Sequence, residues 1–131
     1  MLSIIFFILA GIANAVMDKI VFHWDRSIFK ETKFEQWANP KVSYRNKWKN
    51  NSNNLEGEKF FGSSTIFVWT TDLWHFAQSF MITFFVLGVL SYDGIVNIGD
   101  LYILNLIIDY VILKMAFSIS FEIFWSKVLE E

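Results

Sequence analysis

Apolar positions along the chain are gathered into three long blocks, separated by one long polar stretch and one short turn. The first block runs from about residue 1 to 24: Leu2 to Met17 carries no charge, and the run continues past Asp18, Lys19 and Ile20 to Phe22 and Trp24. The second covers about 64–90 and the third about 101–125. A helix of roughly 20 apolar residues, rising about 1.5 Å per residue, spans a hydrocarbon core about 30 Å thick. Each block therefore predicts one membrane-crossing helix. Asp93-Gly94 and Gly99 break the chain between the second and third blocks, and so short a connection predicts that those two helices are antiparallel neighbours. Ala13-Asn14-Ala15 has the small-residue spacing of a signal-peptidase site, but no Lys or Arg precedes the apolar run and apolar residues resume beyond it. The block is read as a span.

The stretch over about 26–63 is different in kind. It is polar, holds the single proline in Asn39-Pro40, and contains an asparagine-rich run over 50–54 that reads as a surface loop. Phe34, Trp37, Tyr44, Trp48, Phe60 and Phe61 alternate there with basic residues. Aromatic rings and cationic side chains both favour the headgroup level of a bilayer. The loop is therefore expected to lie at the interface, with the lipid bilayer and its anionic headgroups as its partners.

Charge sets the orientation. Arg26, Lys30, Lys33, Lys41, Arg45, Lys47, Lys49 and Lys59 place eight of the eleven basic residues in this loop, whereas the turn over 91–100 carries none and two aspartates. The positive-inside rule puts the loop and the C-terminus in the cytoplasm, and the N-terminus and the short turn outside. Composition agrees with a membrane setting: fifteen Phe and six Trp in 131 residues are more aromatic surface than a small soluble core takes up. A net charge of −2 supplies no field that would favour nucleic acid. The absence of cysteine excludes disulfides, thiolate metal sites and thiol nucleophiles together. The predicted fold class is all-α: one membrane domain of three transmembrane helices with one long basic interfacial loop.

Candidate chemistry lies in polar residues within the apolar blocks. An Asp at the centre of a membrane helix costs about 2.5–3.5 kcal/mol on the translocon scale, so such groups turn inward and pair. Asp18, Asp72, His75, Asp109, Lys114 and Glu122 all fall within predicted spans, with His23 and Asp25 near a helix end. In the expected orientation Asp18, Asp72, His75 and Glu122 share the cytoplasmic half of the bilayer, Asp109 the outer half. Helical spacing puts Asp72, His75, Ser79 and Thr83 on one stripe, Gly11, Asn14, Ala15 and Asp18 on another, and Lys114, Ser118 and Glu122 on a third. The small residues of the first helix permit close helix approach.

Three readings follow. Asp18, Asp72, His75 and Glu122 hold a divalent metal such as Zn, Mn or Mg, or His75, oriented by Asp72, works as an acid–base pair with it. Alternatively, these groups pair with one another and with Lys114 to hold the helices together. A third reading is a proton or cation pathway, which requires self-association because three helices are too few to enclose a channel. Ser27 and Ser43 have no nucleophile-elbow or triad context, and the chain has no glycine-rich phosphate loop or metalloprotease helix motif. The aromatic residues of the second block are packing and lipid-facing residues.

Asn14-Ala15-Val16-Met17-Asp18 with Ser27-Ile28-Phe29, Trp37 with Asn39-Pro40 and Asn46-Lys47-Trp48, and Thr71-Asp72-Leu73-Trp74-His75 occur together in this sequence. Over roughly 11–80 the chain resembles a group of short bacterial and phage integral membrane proteins. The resemblance carries no activity or ligand set and implies only that these stretches belong together. The expected function is an accessory or assembly role, with a protein partner or self-association. The alternative is a minimal metal-dependent membrane enzyme acting on lipid-linked or phosphate substrates.

Overall fold

The computed structural model describes residues 1–51 and 54–130; Ser52 and Asn53 of the asparagine-rich run lie outside them, as does Glu131. Three long helices carry the architecture: α1 (Leu2–Phe22), α4 (Leu73–Leu90) and α5 (Tyr102–Ile123), the last continued by a π-helical turn over Phe124–Val128. Two one-turn helices, α2 (Glu35–Ala38) and α3 (Pro40–Ser43), lie in the long connection. Among the described residues the only β pairing is two isolated bridges. All three long helices have the length and composition needed to cross a membrane.

The helices are arranged around α1. Both α4 and α5 pack along it, while they meet each other only marginally, as where the Phe85 and Phe117 rings stack at 5.5 Å. The short turn thus connects two helices that flank a third, and the expected close pairing of the second and third spans is corrected. The reason lies in α1. Gly11, Ala15 and Lys19 recur at i, i+4, i+8 and serve α5, where a Cβ on Gly11 would meet Phe117 and Ser120. Phe6 and Ile20 lie on another face and serve α4, through Phe84 and Leu73. Small residues on more than one face let a helix take two close neighbours.

The second long helix begins at Leu73, later than the apolar run from about residue 64 predicts. Asp72 has an extended backbone (φ −154°, ψ 160°), and its side chain accepts the His75 N–H, the geometry of an N-cap. Residues 64–70 before it form turns folded back on Gly62, whose positive φ of 76° suits glycine.

The connection from His23 to Asp72 is a folded cap on the ends of α1 and α4. Ile20, Trp24, Ala38 and Leu73 form its buried centre, with Val16, Phe29, Trp37, Trp74 and Phe76 against it. Trp37 meets Phe76 edge-on at 5.4 Å, and Phe76, Phe80 and Phe84 continue an i, i+4 ladder up α4 to Phe6. Such aromatic pairs add about 0.5–1.5 kcal/mol each beyond their buried area. Asn46, buried, gives its amide to the carbonyls of Gln36 (2.9 Å) and Thr71 (3.0 Å) and accepts from the Gln36 amide at 3.0 Å, joining α2 to the approach of α4. Asn39 caps α3 by accepting from the Lys41 N–H, with Pro40 in the first turn.

Glu58 fastens the far side of the cap. Its carboxylate accepts from the Ser64 hydroxyl, the Gly62 N–H at 2.9 Å and the Ser64 N–H at 3.1 Å. The hydroxyl first, then the two amides, hold its pKa below the ordinary 4.5. A depressed carboxylate contributes stability that is present above its ordinary value and is lost as pH falls through the folded one. Amide protection at Gly62 and Ser64 is expected to hold at neutral pH and to fall away below the ordinary Glu range. In Glu58→Gln it should be weaker at neutral pH and insensitive to that titration. The same acid response in both proteins would show that Glu58 is not the fastening group.

Candidate functional site at the loop end of the bundle

Asp72 and His75 are brought together. Asp72 is 2% exposed; its Oδ1 accepts the His75 N–H at 2.9 Å and its Oδ2 lies 2.7 Å from His75 Nδ1, with the Thr71 hydroxyl at 3.3 Å. One carboxylate therefore does two things. It caps α4, where the helix N-terminus favours a negative charge, and it fixes the imidazole ring. A carboxylate can only accept, so Nδ1 is the protonated nitrogen, and Nε2 is left for a ligand or a proton. The edge of His75 is further held by Trp74 at 5.0 Å between ring centroids. Both members of the pair line a hollow of about 310 Å³ whose other walls come from Val21 at the end of α1, Pro40 and Ser43 of α3, Tyr44 and Trp74.

Asp18 and Glu122 do not join them. Asp18 is half-buried and acts electrostatically on its neighbour Lys19; Glu122 is exposed on α5. Among the described residues no group of three or more His, Cys, Asp or Glu is placed to hold a metal ion. The expected four-residue metal site of Asp18, Asp72, His75 and Glu122 is thus reduced to the Asp72–His75 pair. The cause is geometric: Asp72 stands at the start of α4 rather than part-way along it, and Glu122 lies on the flank of α5 that turns away from α1. Lys114 is likewise exposed, at the edge of an apolar hollow with Phe7, Phe85, Tyr110, Leu113 and Phe117.

Two buried ionisable groups hold the molecule elsewhere. Lys19, wholly buried, donates to the Trp125 carbonyl at 3.2 Å, pairs with Glu130 Oε2 at 3.3 Å and lies 4.3 Å from the centre of the Trp125 ring. Arg26 also pairs with Glu130, and Ile28 N–H donates to Leu129 O at 3.2 Å, so the C-terminal residues are clasped to the start of the loop. Sequence reasoning passed over Lys19. The available signal was its place four residues after Ala15 and eight after Gly11, on the small-residue stripe.

Asp109, 2% exposed, takes the Tyr92 hydroxyl at 2.7 Å and the N–H groups of Ile95 (2.8 Å) and Val96 (2.9 Å), tying the short turn to α5. Asn105 accepts the Ile98 N–H at 2.9 Å one turn away. The Asp109 hydrogen bond, then burial, push the Tyr92 phenol above its ordinary value near 10. This end also encloses a hollow of about 380 Å³ between the turn and α5, but its carboxylate is already engaged by three donors of the protein.

Fold and site together define an all-helical protein with three helices long and apolar enough to cross a membrane and a folded cap at one end of them. Comparison with protein-family models, with curated proteins and with solved structures finds no match to this chain.

Proposed function

We propose that this chain is a small integral membrane protein with an accessory or assembly role, its three spans held by a polar framework and its α5 flank open to a partner in the membrane. One observation carries the reading: the buried ionisable groups are all engaged by groups of the protein itself, two of them across distant segments of chain and one as a helix cap. Lys19 holds the C-terminal residues, Asp109 holds the turn, and Asp72 holds the start of α4. By contrast α5 buries only Asp109 and Ser120 of its 22 residues. Ile103, Ile107, Val111, Met115, Ile119 and Ile123 form an exposed i+4 ridge along it. A photo-crosslinking side chain at Ile107 or Ile119, activated in native membranes, is expected to give one discrete protein adduct. Adducts to lipid alone would overturn the accessory role.

In this reading the loop and the C-terminus face the cytoplasm, because the basic residues concentrate there. Reporters fused after Asn54 are expected to read cytoplasmic and those after Gly94 external. The reverse pattern would invert the molecule.

The fixed imidazole favours a second reading, in which His75 is an acid–base group acting on a lipid-linked or phosphate substrate at the hollow. Asp72→Asn separates the two. Asparagine caps a helix about as well as aspartate, so the accessory reading expects unchanged crosslinking and a loss of about 1 kcal/mol or less in thermal stability, with His75→Gln equally mild. Loss of the cellular phenotype in both variants, with melting and crosslinking unchanged, would replace the accessory reading by the acid–base one.

A further inference from the structure

We propose that the hollow beside Asp72 and His75 is a binding site for an anionic phospholipid, which places its phosphate between His75 and Arg45 and lays the start of an acyl chain over Val21 and Trp74. The inference goes beyond the accessory role, needing neither a reaction nor a protein partner, and it rests on the proposed placement of the loop at the membrane surface.

Location is the first argument. The hollow is bounded by the last turn of α1, the first turn of α4 and the small helix α3. It therefore sits at the ends of two spans, the depth at which a lipid headgroup meets its chains. Val21 and its neighbour Phe22 are 41% and 72% exposed, so an apolar track leads from the hollow along the outside of α1. A water-soluble ligand would find few polar groups to replace its hydration, whereas an amphiphile has an apolar part for these walls.

Charge and geometry supply the second. With Nδ1 held by Asp72 at 2.7 Å, a protonated His75 has Nε2–H as its one remaining ring donor. Arg45 Nε donates to the Tyr44 hydroxyl at 2.9 Å, and its guanidinium carbon lies 5.3 Å from the Tyr44 ring centre. Tyr44 lines the hollow, so this contact stations a guanidinium at the rim with its two terminal nitrogens left for a phosphate, which arginine recognises in bidentate fashion. Asp72 also faces the hollow, but both of its oxygens are engaged by His75. In the form in which Nε2 also carries a proton, Arg45 and His75 against Asp72 leave one net positive charge at the mouth, matching a phosphodiester.

The test uses the full chain in nanodiscs of phosphatidylcholine mixed with phosphatidylglycerol, with retained lipid counted after gentle extraction by native mass spectrometry. One phosphatidylglycerol per chain is expected, in preference to phosphatidylcholine. Arg45→Gln and His75→Gln should each lower its retention about tenfold, the equivalent of one lost charge-assisted hydrogen bond. Lys59→Gln, a loop cation at a separate hollow with Trp37, Asn46 and Phe60, should leave retention unchanged. Arg45 is exposed, so its variant folds and the test stands even if His75→Gln does not assemble. Equal losses in the Arg45 and Lys59 variants would overturn the hollow as a site while leaving a general attraction of the loop for headgroups intact. Equal retention of the two lipids would overturn phosphate recognition. Displacement of phosphatidylglycerol by inorganic phosphate would assign the site to a soluble phosphate instead.

Discussion

Glu130→Ala is expected to destabilise the helical bundle by about 3–5 kcal/mol, the range for breaking a buried ion pair by removing one partner. Lys19 has no exposed surface, and its ammonium depends on Glu130 at 3.3 Å, the Trp125 carbonyl at 3.2 Å and the face of the Trp125 ring. Without the carboxylate, the buried ammonium keeps only the Trp125 carbonyl and the face of its ring as direct partners. A lysine near a helix end ordinarily escapes by extending its stem toward the headgroups, but here the Trp125 ring lies over it. Lys19→Met removes the charge and keeps most of the volume, so its cost is expected to be smaller. Adding Glu130→Ala to Lys19→Met should then cost little more, a strong positive coupling in a double-mutant cycle. Arg26, whose side chain is 65% exposed, serves as the control: its loss should cost under about 1 kcal/mol, as for exposed pairs generally. Equilibrium unfolding in bicelles measures all four. A Glu130→Ala protein as stable as the parent would show that Lys19 reaches water unaided.

The existence of three long apolar helices was legible because run length and the lack of charge leave few alternatives over about 20 residues. The start of α4 was not. Ile66, Phe67, Val68 and Trp69 look equally apolar in a long helix or in a series of turns, and the structure makes them turns that end in a short 3-10 helix. The spacing from Asp72 to His75 misled for the same reason. Three residues apart places two side chains on one helix face, and it is also the spacing from an N-cap to the N–H it accepts. The pair was legible, but its depth and its membership of a larger cluster were not. The sequence pattern read Asp109 as a lone acid in the outer half of a span. Nothing local in the sequence shows that residues 92–96 fold back to give it three donors, since that contact depends on α5 starting beyond the turn. The close approach signalled by Gly11 and Ala15 was readable, but which helix it served was not.

Gly11→Ala is expected to lower stability by an amount at or above the upper end of the roughly 1–3 kcal/mol typical of overpacking. A Cβ built at Gly11 falls against the Phe117 carbonyl oxygen and the Ser120 hydroxyl, closer than real Cβ atoms come, and 3.1 Å from the Phe117 carbonyl carbon. Two of these atoms are backbone of α5, so no rotamer change relieves the overlap; α1 and α5 must move apart, and the Lys19–Trp125 contact two turns further along the same face must move with them. The sign is the discriminating feature. Alanine is favoured over glycine in a helix interior by about 1 kcal/mol, so a Gly11 without a packing role would give a more stable protein on substitution. Gly88 provides the comparison on the α4 side. Its added Cβ would lie 2.8 and 2.9 Å from carbons of the Phe7 ring, a side chain that can turn aside, and Gly88→Ala is expected to be near neutral. Gly11→Val should be worse than Gly11→Ala, with loss of the Gly11-dependent α1–α5 contact seen as weakened disulfide trapping between cysteines placed at Ala15 and Ser120. Equal stability of Gly11→Ala and Gly88→Ala would mean that α5 is not seated on α1 at this glycine.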